Sequence, residues 1–145
     1  MDPYTHILVA VDFMEGSDRV VERAIELARR YTALLSFIHV VEHIPLEPGS
    51  ELLIGPEFDL EQQLADSTRA RLAAYVANYG LTDAGQYVMV GSTKNEITRL
   101  ATELKADLIV VGSHGRHGLA LLFGSTANAV LHAAACDVLA VRVKN

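Results

Sequence analysis

A run of glycines, hydroxyls and bases near the carboxyl end of the chain is its most chemically suggestive feature. Gly112-Ser113-His114-Gly115-Arg116-His117-Gly118 leads through an apolar stretch to Gly124-Ser125-Thr126. Glycines let backbone N–H groups crowd around an anion without Cβ clashes. A helix opening at Gly124-Ser125-Thr126 would add free N–H groups, a favourable dipole and two hydroxyl donors. From Leu108 through Cys136 there is no Asp or Glu, while Arg116 is present, in a chain of net charge −6. An acid-free window at a loop-to-helix junction suits a phosphate. The competing reading is that these glycines only mark turns and that Ser125 only caps a helix.

Other glycine-loop chemistries fit less well. A Walker loop needs Gly-Lys-Ser/Thr, and the segment has no lysine. A dinucleotide fingerprint belongs after the first strand, where Asp12-Phe13-Met14-Glu15-Gly16-Ser17 lacks the three glycines. Gly112-Ser113-His114-Gly115 has the outline of an RNA-clamping GXXG loop, but it follows a strand in an acidic chain. Asp12 closes the first apolar run and suits a ribose hydroxyl or, beside phosphates, a divalent cation; its alternative is a carboxylate satisfied by nearby backbone N–H groups. His114 and His117 flank the loop, with no Cys or acid at zinc-ligand spacing. His39, inside an apolar strand, reads as a hydrogen-bonded core histidine. No Ser/His/Asp set and no paired carboxylates emerge from the spacing.

Positioning these residues requires a sheet. His6 to Asp12 is short, β-branched and almost wholly apolar, as expected of a central strand covered on both faces. Similar runs follow at Leu34–Val41, Gln86–Val90, Asp107–Val111 and Asp137–Val143. Helical spacing separates them. Ser17 is the expected cap of a helix with Val20, Val21, Ala24, Ile25, Leu27 and Ala28 inward. A long helix carries Leu60, Leu64, Leu72, Tyr75, Val76 and Tyr79 along one side and ends near Gly80. Thr93 and Glu96 form an expected capping box ahead of Ile97, Leu100, Ala101 and Leu104. A last helix is expected over Thr126 to Ala134. The alternation predicts a single-domain α/β fold with a parallel sheet and helices on both faces. Ligands of such sheets bind beyond the carboxyl ends of the strands, where the strand order reverses. The residues there are Asp12, Val40 to Glu42, and Gly112 onward. The irregular stretch from Glu42 to about Glu57 is long enough to be functional.

Composition narrows the partners. The chain has 145 residues, half of them hydrophobic, enough for one domain with a real core. Its acidic balance argues against nucleic acid and against an anionic membrane surface. The lone Cys136 reads as a small residue at a buried helix-to-strand junction. With neither a signal-peptide pattern nor an apolar run long enough to span a membrane, the expected location is the cytoplasm.

Taken together, His6–Asp12, Ile38-His39-Val40, Val111–Arg116, Gly124-Ser125-Thr126 and the ending Cys136-Asp137-Val138-Leu139-Ala140-Val141 resemble the universal stress protein family, over essentially the whole chain. The resemblance implies a Rossmann-like, five-stranded parallel sheet of order 3-2-1-4-5, paired as a homodimer through the last strand, Val138 to Val143. It implies ATP or a related adenine nucleotide as ligand, with or without Mg²⁺. The adenosine would meet Ala10, Val11 and Asp12, and the base would meet Val40. The phosphates would meet Val111, Gly112, His114, Gly115, Arg116, Gly124, Ser125 and Thr126. The chain departs from the family's phosphate pattern at one point. Eight residues separate Gly115 from Gly124, where nucleotide-binding members have nine. The shorter spacing resembles a branch that has lost the glycines and does not bind ATP, so a nucleotide-free homodimeric interaction module is the alternative. A protein partner, unnamed by the sequence, is expected in either case. The motif of related nucleotidyl transferases is missing, so the expectation is binding rather than catalysis, with at most a slow ATPase.

Overall fold

The apolar runs form five strands, and the residues between them form four helices, among the described residues of a computed structural model: 2–42, 60–113 and 125–143. In chain order these are β1 (His6–Ala10), α1 (Ser17–Tyr31), β2 (Leu34–Val41), α2 (Leu60–Ala77), β3 (Gly85–Val90), α3 (Thr93–Leu104), β4 (Leu108–Gly112), α4 (Ser125–Ala133) and β5 (Asp137–Val141). The sheet has the order β3-β2-β1-β4-β5, and every pairing is parallel. Strand order reverses beside β1, which pairs with β2 on one side and β4 on the other.

Alternation along the strands divides the core in two. Ile7, Val9, Phe37, Val88 and Val110 turn toward α1 and α2 and pack with Val20, Val21, Ala24, Leu72 and Val76. Leu8, Ile38, Ile109 and Val111 turn toward α3 and α4 and pack with Ile97, Leu100, Ala101, Ala127 and Val130. Successive strand side chains point to opposite faces, so a wholly apolar strand must be covered on both.

Several local expectations need correction. Ser17 does not cap α1. Gly16 holds the cap position at φ +92°, with no side-chain cap bond, and Ser17 is buried as the first helical residue. The Thr93–Glu96 capping box does not form either. Ser92 precedes the helix without a side-chain cap, Thr93 Oγ1 donates to Glu42, and Glu96 is drawn into a salt bridge with Arg99. On α2 the buried stripe runs through Ala65, Thr68, Leu72 and Val76, while Leu60 and Leu64 are exposed. A 3-4-4 spacing keeps one side of the helix on the sheet, and Thr68 is tolerated there because its hydroxyl donates to the Leu64 carbonyl at 2.6 Å. The helix ends at Ala77, and Gly80, at φ +71°, serves the turn after it.

The first and last strands in the sequence are also shorter than expected. β1 stops at Ala10, although Val11 N still donates to Ile38 O. β5 stops at Val141. Val143 instead turns inward, where it is buried and its N–H donates to Ser113 Oγ at 3.1 Å. It packs where Gly16 and Gly112 have no side chain: a Cβ on Gly16 would stand 2.0 Å from Val143 Cγ1, and one on Gly112 3.5 Å from Val143 Cγ2. Most of the expected irregular stretch, residues 43–59, lies outside the described residues.

Candidate functional site

A cleft lies at the carboxyl ends of β1, β2 and β4. Its floor is Ala10 and Val11 from the β1 end, Ile38 to Val40 of β2, and Val111 and Gly112 of β4. Asp12, Met14 and Glu42 stand on its β1 and β2 rims. The first residues of two helices face them: Thr93, with Ile97 a turn on, from α3, and Ser125 and Thr126 from α4.

The residues singled out from the sequence therefore divide cleanly. Ala10, Val11, Asp12, Val40, Val111, Gly112, Ser125 and Thr126, scattered over more than a hundred positions, line this one cleft. His114, Gly115, Arg116 and Gly124 lie outside the described residues, as does the Gly115–Gly124 spacing. The structure also brings in residues to which the sequence reading gave no part or another one. Met14 and Ile97 add apolar wall. Thr93, expected as half of a capping box, faces the cleft and binds the Glu42 carboxylate at 2.9 Å. Glu42 itself was among the strand-end residues, Val40 to Glu42, that the sequence pointed to, and it lines the cleft.

His39 is hydrogen-bonded, as expected of a strand histidine, but it also lines the cleft. Its Nδ1 lies 2.6 Å from the Val11 carbonyl. A carbonyl can only accept, so Nδ1 carries the proton and donates. The bond pins the residue after β1 to the centre of β2. Asp12 is exposed, and its Oδ1 accepts from Met14 N at 2.9 Å. This turn uses one carboxylate oxygen and is compatible with both sequence readings of Asp12. Between them Phe13 sits at φ +58°. For a bulky L-residue that conformation costs on the order of 1–2 kcal/mol.

Charge is unevenly spread. Among the described residues that line the cleft, Asp12 and Glu42 are carboxylates, and no Lys or Arg accompanies them. Two carboxylates repel an anion but suit hydroxyl and amino donors. The opposite end differs: Ser125 and Thr126 open α4, whose first turn has no acid and whose first N–H groups have no partner within the helix. Gly112 there has a packing role as well, because a Cβ would approach Val20 Cγ2 to 3.3 Å. The cleft can thus take a ligand with a flat apolar part, neutral donors in the middle and an anionic end. Among the described residues no group of three or more His, Cys, Asp or Glu could hold a metal. No helix among them is long and apolar enough to cross a membrane.

Behind the cleft, Asp18 in the first turn of α1 accepts from the phenols of Tyr79 and Tyr75, each at 2.7 Å. These two bonds hold its carboxyl below the usual range, Tyr79 contributing most. At the other end of the sheet Asp107 accepts from the backbone of Thr5 and His6 and from the Thr5 hydroxyl. Desolvation pushes its pKa up, but those bonds together outweigh it and the net shift is downward. Cys136 is half-buried, and burial raises its thiol pKa, consistent with the packing role expected of it.

Comparison with known proteins agrees with this architecture. The sequence model of the Universal stress protein family matches residues 3–142. Universal stress protein A homolog 1 of Coxiella burnetii is 43% identical over 141 residues, covering 97% of this chain and 98% of that protein. Among solved structures, universal stress protein UspA from Lactobacillus plantarum superposes with a TM-score of 0.74 at 27% identity, over 99% of this chain and 100% of that one. A universal stress protein solved in complex with cAMP shares the fold at a TM-score of 0.69 and 24% identity, over 99% of this chain and 100% of the other.

Proposed function

This chain belongs to the universal stress protein family, and from that premise we propose that it is a regulatory protein that binds ATP or a related adenine nucleotide in the cleft at the strand-order reversal. The observation that carries this reading is the match between the cleft's layout and the parts of a nucleotide. Apolar backbone and side chains from β1, β2 and α3 suit a base, with Val40 beside it. Asp12 suits a ribose hydroxyl. The α4 N-terminus, Ser125 and Thr126 suit phosphate, joined by His114, Gly115, Arg116 and Gly124 of the sequence pattern. A universal stress protein of the same fold, solved in complex with cAMP, supports the reading. Mg²⁺ would enter with the phosphates rather than in a cage of protein ligands, with Asp12 as the nearby carboxylate.

In this reading the protein acts in the cytoplasm by binding, not turnover. Nucleotide occupancy biases the loops around the cleft and so which partner docks. A second copy pairs along the last strand: β5 lies at a sheet edge, and Val138 to Ala140 are only partly buried there.

Calorimetric titration with ATP, with and without Mg²⁺, tests the reading. The expected result is a dissociation constant in the micromolar range, weakened by Asp12→Ala and by Thr126→Ala. The alternative, a nucleotide-free interaction module, is favoured by the eight-residue spacing and predicts no binding heat under either condition.

A further inference from the structure

Phe13 is the residue in the β1–α1 connection whose backbone is hardest to account for locally. A positive φ at a large non-glycine residue persists only where the surroundings over-determine it. Here they do. The Phe13 ring lies 4.8 Å from the His39 ring and meets Tyr75 edge-on at 5.6 Å. The Arg71 guanidinium stands 4.3 Å above its face. Two of these groups come from α2 and one from β2, so the ring is held by elements on either side of it.

The consequence for its neighbours is directional. Asp12 and Met14 both line the cleft, whereas Phe13 packs with the core cluster on the α1 and α2 side. The left-handed residue turns its own side chain away from the cleft while Asp12 keeps to it, and Met14 borders both sides. Across it closes the Asp12 Oδ1 to Met14 N bond. The same His39 that stacks on Phe13 holds the Val11 carbonyl just before Asp12. Besides its own bond to Met14 N, the carboxylate is held through contacts on either side of it, at Val11 and at Phe13.

We propose that Phe13 is a positioning residue: its clamped ring imposes the backbone turn that presents the Asp12 carboxylate to a ligand hydroxyl in the cleft. The assignment rests on the nucleotide reading for the identity of that hydroxyl, a ribose one, but not for the turn itself.

Two measurements separate the two claims. In the ligand-free protein, exchange of the Met14 amide proton reports the turn. It should be slow in the wild type, faster in Phe13→Gly, and slow again in Phe13→Tyr, which restores the ring. Glycine accepts the positive φ without strain, so this variant removes the clamp while leaving the backbone path open. Arg71→Met, on the surface of α2, withdraws one flank of the ring without altering the turn's own residues and should shift exchange in the same direction. Unchanged Met14 exchange in both Phe13→Gly and Arg71→Met overturns the proposal. The second measurement is the ratio of affinities for ATP and 2′,3′-dideoxyATP. A hydroxyl donating to a carboxylate makes that ratio about tenfold or more, and Phe13→Gly should reduce it below about threefold. Asp12→Ala should do the same, and the double variant should lose nothing further. Equal weakening of both nucleotides by Phe13→Gly, with the ratio intact, marks Phe13 as merely structural and overturns the proposal. A wild type that binds neither nucleotide overturns the nucleotide reading, and Met14 exchange still decides whether Phe13 holds Asp12.

Discussion

At the scale of single residues, Asp18 shows how a surface carboxylate becomes structural. It is exposed, yet Tyr75 of α2 and Tyr79 of the turn after it both donate to it, and the pair ties the start of α1 to the carboxyl end of α2. Because those bonds lower its pKa in the folded state, the sign of its contribution follows. The stabilisation is present in full above the unfolded carboxyl value, about pH 4, and is lost as pH falls through the lower folded value. Asp18→Asn should therefore lower the melting temperature at pH 7, and the difference from wild type should vanish toward pH 2. Thermal melts from pH 7 to pH 2 check this; a gap that stays constant over that range contradicts it. The sequence gives Asp18 no part beyond its place beside the inward residues of a helix. Nothing in its spacing announces two phenols from residues 57 and 61 positions away. Asp12, in contrast, stood out in the sequence as an acid that ends a buried strand, suited either to a ligand or to nearby backbone N–H groups; it lines the cleft and accepts from Met14 N.

At the scale of elements, the join between β1 and α1 depends on the end of the chain. Gly16 adopts φ +92°, and the space its missing side chain leaves is filled by Val143. Gly16→Ala should destabilise the protein by about 2–4 kcal/mol, combining left-handed strain with overpacking. Shortening the intruding side chain in Gly16→Ala/Val143→Ala should recover part of that loss. The strain would remain, so recovery should be incomplete. Urea denaturation of the four proteins of this cycle measures the coupling, and strictly additive effects would show that the two residues do not share the space. The sequence suggested a different arrangement, with Ser17 as cap and a strand running to Val143. Serine at a helix start and valine after a strand are good local guesses. Both were overridden because a tertiary contact 127 residues long in sequence, Gly16 to Val143, offered more burial than either local preference. The Thr93–Glu96 capping box gave way for a similar reason, with Glu42 and Arg99 as better partners for the two side chains.

At the scale of the whole molecule, the open sheet leaves two edge strands, β3 and β5. Unpaired strand edges invite a further strand, and the homodimer proposed through β5 uses one of them. Sedimentation at micromolar concentration should show a dimer. Val138→Lys and Ala140→Lys, at half-buried edge positions, should shift it to monomer while leaving the fold intact. A monomer for the wild type would remove this part of the proposal.

The fold class and the end of the sheet at which the cleft opens were determined by the sequence alone, for a physical reason. Strands buried on both faces must be continuously apolar, helices on a sheet must show one apolar face, and parallel strands gather their carboxyl ends on one side. Those constraints act locally and leave their pattern in the order of residues. They sufficed to bring Asp12, Val40, Gly112 and Ser125 under suspicion together. Only the tertiary structure decided which partners the polar side chains chose. It joined Asp18 to Tyr75 and Tyr79, set Thr93 against Glu42, directed the His39 Nδ1–H at the Val11 carbonyl, and clamped Phe13 under Arg71. Such choices are competitions between groups distant in sequence, settled by distance and burial after the chain has closed on itself. No local pattern records them.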